Sequence, residues 1–185
     1  IEINEDNLNN KNYNFVNYWN SKSVVKESLN IYKNKSIDEI CEDTELILEN
    51  SIKHQLISDV KAGVFLSGGT DSALVASLAQ KVSNTQISTY SIGFDVKEYD
   101  ESDAALSISK KIDTNHNSYI MTSNDLESLI QKKCLFDEPF FDISQFPTYL
   151  LTKFASKEVK VCLTGDGGDE LFGGYNRHLL GLNIL

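Results

Sequence analysis

A short polar loop, Ser67-Gly68-Gly69-Thr70-Asp71-Ser72, directly follows the apolar run of residues 63–66. An apolar run, a glycine pair and a polar turn in this order predict a strand, a tight loop and the start of a helix over residues 73–81. Two consecutive glycines allow backbone N–H groups to approach a polyphosphate without side-chain interference, and the N-terminus of the helix attracts the same anion. The loop therefore predicts a site for the pyrophosphate of a nucleotide.

Three side chains of this loop add to the expected chemistry. Ser67 and Ser72 supply hydroxyl donors, whereas Asp71 is an unfavourable neighbour for an anion unless a divalent cation bridges the two. Asp71 therefore predicts Mg²⁺ at the site. The pattern G-x-x-x-x-G-K-[ST] does not occur in the sequence, and no lysine follows the loop to hold a γ-phosphate, which disfavours kinase and GTPase chemistry.

A second glycine-rich loop lies further along the chain. Residues 159–164 alternate in polarity and end in Thr164, after which Gly165-Asp166-Gly167-Gly168-Asp169 is typical of a loop and a helix start. If the strands before both loops belong to one parallel sheet, their carboxyl ends open into the same crevice, where ligands bind in open α/β folds. We therefore expect both loops to face one nucleotide.

The rest of the chain alternates between strand-like and helix-like patterns. Further strands are predicted over residues 86–94 and 117–121, and helices over residues 37–58, 103–113 and 124–133. This alternation predicts an α/β fold, a doubly wound parallel sheet with helices on both faces.

The first of these helices has both a start signal and an expected buried face. Ser36 and Glu39 are spaced as a capping box. The expected apolar stripe of the helix consists of Ile40, Leu46, Ile47 and Ile57.

The two glycine loops carry a family resemblance. The first resembles the SGGxDS loop of the N-type ATP pyrophosphatases, which split ATP between the α- and β-phosphates to adenylate a substrate. Together with the second loop, read from Thr164 to Tyr175 as TGDGGDELFGGY, the chain is similar to asparagine synthetases and close relatives such as β-lactam synthetases. The match covers about residues 40–178. It implies an adenine nucleotide alpha hydrolase-like fold.

The resemblance also implies roles for individual residues. Ser67, Asp71 and Asp166 are the candidate catalytic residues, and Asp71 and Asp169 the candidate Mg²⁺ ligands. Asp166 stands where several asparagine synthetases carry a glutamate base, so the shorter side chain is either that base or a loop hydrogen-bond acceptor. Asp169 is either a metal ligand or a helix cap.

The expected nucleotide contacts come from both strands and both loops. Either Phe65 or Leu66, together with Ile92, matches the adenine-contacting positions of the family, although apolar strand residues are core in most proteins. The complete expected ATP-binding set is Phe65, Leu66, Ser67, Gly68, Gly69, Asp71, Ser72, Ile92, Thr164 and Gly165. Asp137 and Glu138, before Pro139, are either neighbours of the substrate or part of a solvated turn, and Arg177 is a further candidate contact for an anionic substrate.

Composition limits the partners of the protein. The 185 residues are 41% hydrophobic, enough for the core of one soluble domain, and the net charge of −10 argues against a nucleic-acid partner. No apolar run has the length of a membrane span and no signal peptide is recognisable, so we expect a cytoplasmic protein without membrane contact. Cys41, Cys134 and Cys162 are too far apart for a C-x-x-C metal or redox site.

We expect residues 1–20 to be a linker or tail and residues 21–185 to form the ATP pyrophosphatase domain. In the resembled family a glutaminase domain with an N-terminal cysteine nucleophile precedes such a linker, and these residues do not include it, so ammonia must come from elsewhere. Family members also continue beyond the second loop with helices that carry a phosphate-contacting lysine. We therefore expect the domain to be truncated at its C-terminus, since its apolar last residues would otherwise leave a helix face unburied.

The resemblance implies synthesis of asparagine from aspartate, ATP and ammonia, with AMP and pyrophosphate as products. Two alternatives stay open at this point. One is a related amide-forming ligase that acts on another carboxylate, such as a uronic acid of a surface polysaccharide or a β-lactam precursor, and the other is an ATP-binding module without catalysis. The sequence leaves a homodimer open.

Overall fold

The computed structural model describes residues 17–131, 138 and 142–178. The chain divides into two compact units, Ile1–Leu46 and Ile47–Leu185. The helices are α1 (Ser21–Tyr32), α2 (Ile37–Gln55), α3 (Thr70–Val82), α4 (Ser102–Ile112), α5 (Ser123–Ile130), α6 (Gln145–Ala155) and α7 (Gly168–Phe172), with a short 3₁₀ turn at Lys97–Tyr99. The strands are β1 (Ala62–Phe65), β2 (Ser88–Phe94), β3 (Asn115–Met121) and β4 (Val161–Leu163).

Helix α1 was not expected from the sequence. The carboxamide oxygen of Asn20 accepts hydrogen bonds from the N–H groups of Lys22 and Ser23, at 3.0 and 3.3 Å, and so caps the first turn. The predicted linker therefore ends at a helix cap. Most of that linker, residues 1–16, lies outside the described residues, and the assignment of residues 21–185 to one ATP pyrophosphatase domain stays a prediction.

The capping box at the start of α2 is confirmed. Glu39 N–H donates to Ser36 Oγ at 3.3 Å, and Ser36 N–H donates in return to the Glu39 carboxylate at 2.7 Å. The hydrogen bonds that the N–H group and the hydroxyl of Ser36 donate to the Glu39 carboxylate lower the pKa of this carboxyl.

The predicted apolar stripe of α2 is wrong. Side chains at the expected positions are exposed: Ile40 36%, Leu46 58%, Ile47 59% and Ile57 77%. The buried side chain of the helix is Ile52, and Leu48 and Leu56 pack partly buried against the same core. Successive members of this set are four residues apart, which places them on one helix face. Leu and Ile occur on more than one side of this helix, so residue type alone did not identify the face that packs.

The central sheet is parallel throughout. Its four strands lie in the order β3-β2-β1-β4. Gly63 of β1 pairs with Ser88 of β2 on one side and with Cys162 of β4 on the other. The strands that precede the two glycine loops are therefore neighbours, and their carboxyl ends lie at one edge of the sheet, as predicted.

Helices cover both faces of this sheet. Because successive strand residues point to opposite faces, Val64 and Leu66 pack in one core with Ile52 of α2, Ala79 of α3 and Ala105 of α4. On the other face, Phe65 and Tyr90 pack with Phe154 and Ala155 of α6. This arrangement confirms the predicted α/β fold with helices on both faces. No helix in the described part of the chain is long and apolar enough to cross a membrane.

A hydrogen-bonded polar group lies between β2 and β3. The hydroxyl of Thr89 lies 3.0 Å from Nδ1 of His116, and the hydroxyl of Ser91 lies 3.2 Å from Nε2. Thr89 and Ser91 are buried. Burial lowers the pKa of His116, so the imidazole is held neutral between two uncharged partners.

The lowered pKa of His116 predicts a stability that falls in acid. The unfolded chain takes up the proton near the ordinary pKa of about 6.5, while the folded chain resists it. The contribution of neutral, buried His116 to the free energy of unfolding is therefore fully present above a pH of about 6.5. This contribution is lost as the pH falls from there towards the pKa of His116 in the folded protein. A single histidine can change the free energy of unfolding by at most about 1.4 kcal/mol per pH unit.

We expect the His116→Gln variant to lose less unfolding free energy than the wild type between pH 7.5 and pH 5.5, measured by urea denaturation. Exposed His54, changed to Gln, is the matched control and should keep the wild-type pH dependence. An unchanged pH dependence in His116→Gln would contradict the assignment.

Candidate nucleotide-binding site

A cleft of about 1480 Å³ opens at the carboxyl edge of the sheet. It is bounded by the loops that follow the strands, with α5 and α6 completing the wall. Most of the residues predicted from the sequence line it, namely Phe65, Leu66, Ser67, Gly69, Asp71, Ser72, Ile92, Thr164, Gly165, Asp166 and Asp169. Gly68 is not part of this lining.

The serine hydroxyls of the first loop close the loop on itself. Ser72 Oγ donates to the carbonyl oxygen of Gly69 at 3.1 Å, and it accepts the N–H of Ser67 at 3.1 Å. The two serine hydroxyls are 2.8 Å apart, and Ser67 Oγ also accepts the N–H of Gly69 at 3.1 Å. With the Ser72 proton used on Gly69, Ser67 is the donor between the hydroxyls. Both serine side chains therefore stabilise the conformation of the loop through hydrogen bonds within it.

The donors left for an anion are backbone groups. Helix α3 begins at Thr70, so the N–H groups of its first turn have no partner within the helix. Gly69 is the N-cap residue and has no side chain to cap them. Since Thr70, Asp71 and Ser72 line the cleft, the N–H groups of this turn can donate hydrogen bonds to the oxygens of a polyphosphate.

The second loop is held by Thr164. Its hydroxyl donates to the carboxylate of Asp166 at 3.0 Å and accepts the N–H of Asp166 at 3.3 Å. The loop then turns at Gly167, whose φ of 91° is a conformation that favours glycine. Asp166 is therefore tied into its own loop while it lines the cleft.

The two glycine loops touch each other. A Cβ atom at Gly165 would lie 2.7 Å from the backbone nitrogen of Ser72 and 3.0 Å from the carbonyl carbon of Asp71. A Cβ atom at Gly168 would collide with the carboxylate of Asp71. Only glycine at these two positions lets the loops come this close. The contact between the loops brings the ends of β1 and β4 together at one candidate site.

The described lining of the cleft is strongly acidic. Its ionisable side chains, apart from Tyr99, are the carboxylates of Asp71, Asp95, Glu101, Asp166 and Asp169, and no Lys, Arg or His is among the described lining residues. No cationic side chain of the described lining can therefore hold an anion at this site, and backbone N–H groups remain as donors.

The residues present fit a magnesium ion that is shared with a phosphate. No group of three or more His, Cys, Asp and Glu side chains gathers as a metal site among the described residues. Mg²⁺ bound with a nucleotide needs only one or two carboxylates, because phosphates and waters supply the other ligands. Asp71 and Asp169 both line the cleft and meet this requirement. Gly167 occupies the N-cap of α7, so Asp169 lies within the first turn instead of at the cap.

The three apolar residues assigned to adenine differ in how much they offer a ligand. Leu66 is only 2% exposed, so its side chain is core and presents little surface. Phe65 and Ile92 are partly buried and also reach the cleft. Among these residues, Phe65 and Ile92 can therefore supply more apolar contact with a base.

The connection from β2 to α4 forms a wall of the cleft, and none of its residues was among the predicted site residues. Asp95, Tyr99 and Glu101 line this wall. Asp100 shapes the connection, because its carboxylate accepts the N–H of Ser102 at 3.1 Å, the hydroxyl of Ser102 at 3.0 Å and the N–H of Phe94 at 3.3 Å. These hydrogen bonds, mainly those from Ser102, lower the pKa of Asp100. An Asp followed two residues later by Ser is the local signal that could have located this turn.

The remaining candidates from the sequence are not among the described residues that line the cleft. The guanidinium of Arg177 stacks on the ring of Tyr175, 4.1 Å from its centroid, and Arg177 does not line the cleft. Glu138 is exposed. Asp137 and Cys134 lie outside the described residues, and Cys41 and Cys162 are free thiols.

A parallel sheet with helices on both faces and two glycine loops at its carboxyl edge defines an α/β protein of the adenine nucleotide alpha hydrolase-like class. Solved structures agree with this fold. The NMN synthetase from Francisella tularensis matches with a TM-score of 0.53 and 19% identity over 72% of this chain and 58% of that chain. The NH3-dependent NAD synthetase from Campylobacter jejuni matches with a TM-score of 0.52 and 17% identity over 73% of this chain and 60% of that chain.

Sequence comparisons narrow this class to a family. The family model for asparagine synthase matches residues 43–184. A putative glutamine-hydrolyzing asparagine synthetase 2 from Methanocaldococcus jannaschii is 41% identical over 83% of the chain and 30% of its own length. Glutamine-hydrolyzing asparagine synthetase 1 from Bacillus subtilis is 33% identical over 75% of the chain and 22% of its own length. The chain belongs to the asparagine synthase family, and it spans less than a third of these two relatives.

Because the two loops touch at Gly165, we expect two glycine substitutions to lower the free energy of unfolding by different amounts. Gly165→Ala must push the loops apart, so we expect it to reduce the free energy of unfolding by about 1–3 kcal/mol. Gly69→Ala is the matched control, because its Cβ would meet only the hydroxyl of Ser67 at 3.3 Å. Urea denaturation of both variants checks this, and equal stabilities would contradict the close approach at Gly165.

Proposed function

We propose that this chain is the synthetase domain of an ATP-dependent amide-forming ligase that makes asparagine. The proposed reaction joins aspartate and ammonia, with ATP converted to AMP and pyrophosphate. Membership in the asparagine synthase family supports ATP use and amide formation. The relatives named glutamine-hydrolyzing support glutamine as the source of ammonia, supplied by a glutaminase domain in the full-length protein.

The observation that carries the proposal is the contact between the two loops. Gly165 and Gly168 lie against Asp71 and Ser72, so the ends of β1 and β4 form one continuous surface. A nucleotide on this surface would have its polyphosphate at the start of α3 and its base towards Phe65 and Ile92. This orientation presents the α-phosphorus to the rest of the cleft.

The first proposed step is adenylation. An oxygen of the β-carboxylate of aspartate attacks the α-phosphorus, a new P–O bond forms, and the bond to the bridging oxygen of pyrophosphate breaks. Negative charge develops on the leaving pyrophosphate, and the backbone N–H groups at the start of α3 would stabilise it. Ser67 and Ser72 hold that loop in shape through their hydroxyls. Asp71 and Asp169 would hold Mg²⁺, which supplies positive charge to the phosphates.

The second proposed step is amide formation. Ammonia attacks the acyl carbon of β-aspartyl-AMP, the bond from carbon to the phosphate oxygen breaks, and AMP leaves. The attacking nitrogen must lose a proton, and Asp166 at the cleft is the proposed acceptor. Its hydrogen bond from the hydroxyl of Thr164 orients the carboxylate for this role.

One observation favours keeping a second candidate substrate. The described lining of the cleft contains no Lys or Arg that would select the α-carboxylate of aspartate. An amide-forming ligase that acts on another carboxylate, such as a uronic acid or a β-lactam precursor, is therefore the second candidate.

The test is product analysis of the full-length protein by mass spectrometry. With Mg-ATP, ammonium and aspartate we expect asparagine and AMP in equal amounts. Asp71→Asn should lower the rate about 100-fold or more, the size typical for loss of a preorganised charge-stabilising group. Asp103→Asn is the matched control, because Asp103 also lies in the first turn of a helix, is exposed, and does not line the cleft.

The other outcomes separate the alternatives. AMP that forms only with other carboxylates would overturn aspartate as the substrate and support the second candidate. Bound ATP without AMP formation for any carboxylate would overturn catalysis and leave an ATP-binding module.

A further inference from the structure

The backbone amide of Gly68 has a partner from another element. Its N–H donates to a carboxylate oxygen of Glu101 at 3.2 Å, across 33 residues of sequence. Gly68 is the loop glycine that does not line the cleft, whereas Gly69, Thr70 and Asp71 on its C-terminal side do. The hydrogen bond to Glu101 thus holds the loop at Gly68, next to the residues that line the cleft.

Glu101 is placed for this contact by the turn that precedes α4. The carboxylate of Asp100 accepts hydrogen bonds from Phe94 and Ser102, which fixes the path from the end of β2 into the helix. Glu101 is the N-cap residue of α4, yet its side chain makes no capping hydrogen bond to that helix. Its carboxylate is directed to Gly68 instead.

The same place shows a close packing contact. A Cβ atom at Gly68 would lie 3.1 Å from Cβ of Ala104 and 3.3 Å from Cβ of Glu101. The next residue of α4, Ala105, is fully buried in the core beside β1 and α3. The loop therefore rests on the first turn of α4, and that turn is anchored in the core.

We infer that Glu101 is a positioning residue for polyphosphate binding: it holds Gly68 against α4 so that the backbone N–H donors from Thr70 to Ser72 face the cleft. This role rests on the proposed function. It gives the Glu101 carboxylate beside the proposed anion site a structural role, because a carboxylate oxygen accepts a hydrogen bond from a backbone N–H group. Holding the loop before the nucleotide arrives reduces the ordering cost of binding.

The test compares Glu101→Ala with Glu101→Gln in the full-length protein. A glutamine carbonyl can accept the same hydrogen bond without the charge, so it should restore most of the effect. We expect Glu101→Ala to raise the Kd for Mg-ATP roughly threefold to tenfold, the range for one hydrogen bond, and Glu101→Gln to lie near the wild type. Exposed Glu98→Ala, outside the cleft lining, is the control and should bind as the wild type does.

A second readout does not depend on nucleotide binding. Hydrogen exchange at the Gly68 amide should become roughly threefold to tenfold faster in Glu101→Ala and stay near the wild-type rate in Glu101→Gln. If the wild type failed to bind ATP, the proposed function would fail, while this exchange measurement would still test the contact. Thermal unfolding of each variant shows whether the fold is retained.

Three results would overturn the inference. Tighter ATP binding by Glu101→Ala would indicate that the Glu101 carboxylate repels the phosphates or competes with them for the loop amides. Equal losses in the Ala and Gln variants, together with a raised Mg²⁺ requirement, would make it a metal ligand. Unchanged exchange at Gly68 in Glu101→Ala would show that the hydrogen bond does not hold the loop.

Discussion

The candidate site depends on the parallel pairing of β1 with β4. Gly63 lies opposite Cys162, so both strands end at the same level of the sheet. Their loops then meet, with Gly165 against the backbone of Asp71 and Ser72. A side chain at Gly165 would separate them. The proposed nucleotide site thus depends on strand register and on the absence of a Cβ atom at this position.

The electrostatic arrangement explains why this region is built from backbone donors. A chain with a net charge of −10 and a cleft whose described lining carries five carboxylates, from Asp71, Asp95, Glu101, Asp166 and Asp169, repels polyphosphate at a distance. N–H groups at the start of α3 act at short range and carry no counter-charge. The proposed Mg²⁺ between Asp71 and Asp169 would convert part of this repulsion into attraction.

Patterns that are local in sequence predicted much of the fold and of the site. The strand–loop–helix units around Ser67 and Gly165 and the capping box at Ser36 could be expected, because each rests on neighbouring residues. The common sheet edge of the two loops was expected from a general rule instead, since the carboxyl ends of the strands in one parallel sheet open into the same crevice. The apolar stripe of α2 was assigned to the wrong face, since hydrophobicity alone does not show which helix face packs on the sheet. Glu101 could not be identified, because its contact with Gly68 joins residues that are far apart in sequence.

The most direct test of the account is hydrogen exchange of the full-length protein with and without Mg-pyrophosphate. If the two loops form one site, residues 67–72 and residues 164–169 should become protected together, at the same ligand concentration. Magnesium alone should protect neither loop to the same extent. Protection of only one loop, or separate protection of the two at different concentrations, would contradict a single site formed by both.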